Sequence, residues 1–133
     1  MKYWLNVIFA FIGSSFTYLF GGWDNVLFSL ILFVILDQAT GLIVGAYSNT
    51  LNSKTGTKGI LKKSTILIVM ILAVTLDRLL NDGSWLFRTL VAYFYIANEG
   101  ISILENCGKL GLPIPQKILD TLEQLKEKGE IKK

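Results

Sequence analysis

The sequence contains no histidine, only one cysteine, Cys107, and only two prolines, both in Pro113-Ile114-Pro115. Without histidine, the commonest acid–base side chain and metal ligand is missing. A single thiol cannot form an intrachain disulfide or a multi-cysteine metal site. No glycine-rich phosphate loop is present, nor a nucleophile with an evident base. No catalytic residue, metal site or cofactor is therefore expected, and the chain does not read as an enzyme. Charge is sparse too, at 17% of residues, with a net +3 carried by lysines in loops and tail. That pattern does not suggest a nucleic-acid partner.

What the sequence does have is apolar length. Of its 133 residues 52% are hydrophobic, which exceeds an ordinary soluble composition. Four apolar stretches stand out at residues 3–20, 26–47, 64–80 and 85–104. At about 1.5 Å per helical residue, each can cross most or all of a hydrocarbon core roughly 30 Å thick. The first could pass for a signal peptide, but its small residues Gly13-Ser14-Ser15 lie inside the run. It reads instead as a retained span.

The connecting segments alternate in charge. Residues 21–25 and 81–84 carry only Asp24 and Asp82, whereas residues 48–63 carry Lys54, Lys58, Lys62 and Lys63 without an acid. Lys2 precedes the first span, and six lysines against five acids follow Leu104. The positive-inside rule then places both termini and the middle segment in the cytoplasm. The expectation is an all-α membrane protein of four transmembrane helices arranged as two hairpins, with a transmembrane domain over 1–104. Residues 105–133 form a cytoplasmic tail whose amphipathic helix covers about 115–128, from the spacing of Ile118, Leu122 and Leu125. Residues 49–59, dense in Ser, Thr, Asn, Lys and Gly, read as a solvated turn.

Charge inside an apolar span is costly and persists where it meets a partner, water or a pathway. Asp77 and Arg88 are equidistant from the centre of the 81–84 turn, which predicts an ion pair across that hairpin, with Arg78 snorkelling nearby. Asp37 follows Trp23 by 14 residues and Glu99 follows Trp85 by 14, so both acids lie at one depth in the inner half of the membrane. Gln38 and Thr40 add polar atoms beside Asp37, and Gly41 with Gly45 forms a small-xxx-small pattern. Asn98, Glu99, Ser102, Glu105 and Asn106 recur every three to four residues as a polar stripe. These residues are candidates for a pore lining or for helix contacts. Two readings stay open for Asp37. It packs internally, capped by Lys62 or Lys63, or its face joins subunits or lines water.

The segment Asp37-Gln38-Ala39-Thr40-Gly41, the Lys58-Gly59-Ile60-Leu61-Lys62-Lys63 run, Leu76-Asp77, and the stretch from Phe94 through Asn106 to Gly111-Leu112-Pro113-Ile114-Pro115 occur in a telling order. Over about residues 33 to 125 this order resembles the toxin-secretion/phage-lysis holin family. The resemblance implies a multi-pass protein of the bacterial cytoplasmic membrane that self-associates into large non-selective holes. Its partners would be other copies of itself and membrane lipid. An endolysin or a folded toxin would pass as cargo rather than bind. An accessory subunit of a larger transporter and a small ion channel are the alternatives from other classes.

Overall fold

The computed structural model describes residues 1–82 and 84–129, and these are all-helical. Five helices follow in order: α1 (Lys2–Phe20), α2 (Asn25–Tyr47), α3 (Ser53–Leu80), α4 (Leu86–Lys109) and α5 (Gln116–Gly129). Three of them, α1, α2 and α3, are long and apolar enough to cross a membrane. The fourth is diluted by Arg88, Asn98, Glu99 and Ser102.

Helix ends follow from local chemistry. The first stops at Gly21, whose φ of 79° is left-handed, with the Gly22 amide donating back to Thr17 O at 2.9 Å. Asp24 caps α2 by accepting from the Leu27 amide at 2.9 Å, and Asn52 caps α3 by accepting from Lys54 N at 2.9 Å. Beyond α4, Gly111 turns the chain at φ 89°, and Pro113 and Pro115 separate it from α5.

The third helix corrects the expectation of a solvated turn over 49–59. Only residues 48–52 connect α2 to α3, and the polar segment from Ser53 onward is helical. The physical reason is tertiary: its two glycines let α3 approach α2. A Cβ on Gly56 would touch Leu42 at 3.5 Å, and one on Gly59 would meet Gln38 Oε1 at 3.1 Å. Gln38 Nε2 also donates to Gly56 O at 3.3 Å.

The one long helix without a span-length apolar stretch is the most enclosed. Arg88, Ala92, Ile96, Ala97, Glu99, Gly100 and Asn106 of α4 are all buried. Helices α2, α3 and α5 pack around it, and Leu27, Leu30, Met70 and Val74 fill the apolar core alongside Ala92 and Ile96. By contrast α1 packs mainly on α3 and buries a single residue, Phe20, while Tyr3, Trp4, Phe9 and Phe11 stay exposed. Within the apolar stretches of α1 to α4, the charged Asp37, Asp77, Arg88 and Glu99 lie inside and many large apolar side chains outside, as a lipid solvent requires.

Candidate functional site

Two charged clusters sit at opposite ends of α4. At its N-terminal end, the Asp77 carboxylate accepts from the Phe87 and Arg88 backbone amides at 2.9 and 2.8 Å and from Asn81 Nδ2 at 3.0 Å. These amides are among the orphan donors that every helix start leaves, so α3 supplies the cap that α4 lacks in its own sequence. Arg88 turns away from Asp77. Its guanidinium donates to Asp24 Oδ2 and Oδ1 at 2.9 and 3.1 Å, to Phe20 O at 2.6 Å and to Gly22 O at 3.1 Å.

The expected Asp77–Arg88 ion pair is therefore replaced by Arg88–Asp24. Asp77 meets Arg88 only through its main chain, its carboxylate being turned to two amides and an Asn while the guanidinium reaches the α1–α2 turn. Close approach is needed for the observed pair: a Cβ on Gly21 would lie 3.0 Å from Arg88 Cδ and Nε. The Arg88 bonds hold the Asp24 carboxyl below its usual range, helped by the Leu27 amide and opposed by partial burial. Arg78 neither pairs nor simply snorkels, since its guanidinium lies 3.9 Å over the Tyr18 ring and 5.6 Å from that of Trp85.

Near the other end of α4, the two acids expected at one depth are joined by one lysine. Lys63 Nζ donates to Asp37 Oδ2 and, at 3.2 Å, to Glu99 Oε2. Asp37 also accepts from Ser102 Oγ at 2.6 Å and from Asn106 Nδ2 at 3.1 Å, and Asn106 reaches Thr40 Oγ1 at 2.9 Å. Both acids are only 5% exposed. Helices α2, α3 and α4 each contribute a charge, so this cluster ties three helices together. The internal reading of Asp37, capped by Lys63, is the one realised in the single chain.

Chemically the cluster is under-compensated. Two carboxylates face one ammonium, so the group carries a net negative charge when both acids are ionised. Two open clefts adjoin it, about 350 and 380 Å³ in volume, and Asp37, Gly59, Lys63 and Ser102 line both. Each is large enough for several waters. Among the described residues no group of histidine, cysteine or acidic side chains could hold a metal.

Comparison with known proteins identifies a family. The sequence matches the bacteriophage holin family over residues 14–127. The chain belongs to that family. A Clostridium perfringens (strain 13 / Type A) protein, itself named uncharacterized, is 54% identical over 92% of this chain and 91% of its own length. A second C. perfringens protein, an uncharacterized 14.9 kDa protein in the nagH 3′ region, is 56% identical over 88% of this chain and 89% of its own. A protein of Bacillus phage phi105 named "Probable holin" is 33% identical over 97% of this chain and 93% of its own. No solved structure matches.

Within this holin-family chain, the candidate residues divide. Asp37, Thr40, Glu99, Ser102 and Asn106 meet in the inner cluster directly or through Lys63 and Asn106. Gln38 instead bonds the α3 backbone. Gly41 lies against Asn106, with a Cβ there 3.9 Å from Nδ2, while Gly45 backs onto Leu51 at 3.4 Å. Asn98 lines the second cleft without joining the network, and Glu105 is exposed. Asp24 was missed as an ion-pair partner. Its helix-capping position ahead of Leu27 was legible, but its facing Arg88 was not.

Proposed function

We propose that this chain is a holin that acts by self-assembly in the bacterial cytoplasmic membrane. Four helices, α1 to α4, cross the bilayer, and before assembly the lysine-bearing segments at both ends and in the middle lie on the cytoplasmic side. The fourth can cross despite its polar residues because partners on α2 and α3 hold them. Family membership supports the class, and one observation carries the mechanism. A lysine shared by two buried acids, with two clefts adjoining, sits inside the bundle.

In the single chain Asp37 and Glu99 are held by Lys63 out of contact with lipid. When copies gather and water enters between them, the uncompensated negative charge is hydrated and the polar cluster gains. Hydration and self-association then favour one another, which makes opening cooperative. The hole passes an endolysin or a folded toxin without binding it.

Expression in a bacterium with a co-expressed endolysin tests the reading. Growth should proceed and then stop abruptly, with lysis. Unaffected growth would indicate an accessory subunit, and depolarisation without protein release would indicate a selective channel. Asp37→Asn and Glu99→Gln should change the lysis time with membrane insertion retained. Wild-type timing in both would remove these acids from the mechanism.

A further inference from the structure

Helix α5 folds back along α4 rather than standing apart from it. Three close approaches mark its path. A Cβ on Gly108 would lie 2.9 Å from Ile114 Cδ1, and one on Gly100 would lie 3.0 Å from both δ carbons of Leu122. One on Gly129 would lie 2.6 Å from Phe94 Cβ and 2.8 Å from Leu90 O. The ladder of contacts thus runs from Gly108 back to Leu90 on α4. The Gly108 contact is made by Ile114 just ahead of α5, and α5 itself, 14 residues and about 21 Å long, covers most of the thickness of a hydrocarbon core.

The face that α5 turns inward carries Leu119, Leu122 and Leu125, all half-buried. Its outward face carries Lys117, Asp120, Glu123, Gln124, Glu127 and Lys128, all exposed. If α4 crosses the membrane, those charges lie at membrane depth. Hydrocarbon cannot be their neighbour there, since charged side chains at that depth require partners or water. The chain is also two-sided: α1, with its exposed aromatics, packs on α3, and α5 packs on α4.

We propose that docked α5 is the water-facing wall of the assembled hole, with its charged face lining the lumen. This rests on the holin reading and on α4 crossing the membrane. Before assembly, the same charges would hold α5 off the bilayer interior, so docking and wetting occur together. The helix carries Lys117, Lys126 and Lys128 against Asp120, Glu123 and Glu127, three charges of each sign. With Lys126 half-buried at the edge, the exposed face carries at most one excess negative charge, so such a wall hardly sorts its cargo by sign.

That balance supplies a test. The purified full-length protein is incorporated in planar bilayers, and the reversal potential is read across a KCl gradient. Salt near 10 mM gives a Debye length of about 30 Å, so wall charge reaches across a wide lumen. Wild type should favour neither ion strongly. The triple variant Asp120→Asn, Glu123→Gln, Glu127→Gln should shift toward chloride, and Lys117→Gln, Lys126→Gln, Lys128→Gln toward potassium. Conducting variants with the wild-type reversal potential would overturn the lumen assignment while leaving the holin reading intact. A wild type that never conducts would overturn the holin reading itself.

A staple checks docking independently. In a Cys107→Ser background, Phe94→Cys with Gly129→Cys places two Cβ atoms that must part by about 1 Å to reach ordinary disulfide spacing. Oxidised protein should still conduct. Conductance lost on oxidation and regained on reduction would overturn the proposal.

Discussion

The two ends of α4 both bury charge, yet they solve the problem differently. At the outer end every group has fixed partners: Asp77 takes three donors, and Arg88 spends its guanidinium on one carboxylate and two carbonyls. Those partners are largely backbone, so they cannot leave without unfolding a turn. At the inner end two acids share one flexible lysine, and clefts adjoin the group. A long ammonium side chain can exchange a carboxylate for water at little structural cost. The outer cluster therefore specifies the fold, and the inner one is suited to change state.

The comparison breaks most readily at Arg88. Arg88→Leu would leave Phe20 O and Gly22 O without their donor and Asp24 without its cation. Removing one side of a buried pair costs about 3–5 kcal/mol, and the lower figure applies here because half of the Asp24 side chain is exposed. The expected result is a sharp fall in membrane accumulation on an immunoblot, before any hole can form. Asp77→Ala should come next, at about 1–2 kcal/mol, the usual worth of a helix cap. Asp77→Asn should lose less, since its amide oxygen still accepts. Equal accumulation of Arg88→Leu and wild type would show that the outer cluster does not hold the fold.

How much of this contrast could be read beforehand depends on how local each feature is. A tail helix over about 115–128 was expected from the spacing of Ile118, Leu122 and Leu125, where α5 covers Gln116–Gly129, and the pairing of Asp37 with Glu99 was suggested by counting residues inward from Trp23 and Trp85. Both need only helical geometry. Symmetry about the 81–84 turn correctly placed Asp77 beside Arg88, but not which atoms would meet. Arg88 has a long side chain, and its choice of Asp24 depends on where the α1–α2 turn lands. The early start of α3 at Ser53 was hidden for the same reason. Its glycines signal a loop locally and close packing on α2 globally.

The inner cluster should respond in timing rather than in accumulation. Lys63→Met leaves both acids without a cation inside the bundle, so the dry state loses its compensation and lysis should come earlier. Glu99→Gln removes the excess negative charge, leaving Lys63 with Asp37 alone, so the dry state is favoured and lysis should come later. Opposite shifts with equal protein levels would separate this cluster from the outer one. Shifts of the same sign would show that the charge balance is not what sets the switch.

The smallest effect is expected from acid, and it tests the outer end alone. The Arg88 bonds place the folded Asp24 carboxyl below its ordinary value of 3.8. A group whose folded value is depressed contributes stability that is present above its unfolded value and lost as pH falls through the folded one. The contribution of Asp24 should thus be constant at neutral pH and disappear only below about 3.8. Asp24→Asn should lower the thermal midpoint of detergent-solubilised protein modestly at pH 7, since the carboxylate is half exposed and screened. The two proteins should converge as the pH is taken below that value. No gap at pH 7 would mean that Asp24 acts only as the cap of α2, which Asn also supplies, rather than as the counter-ion of Arg88.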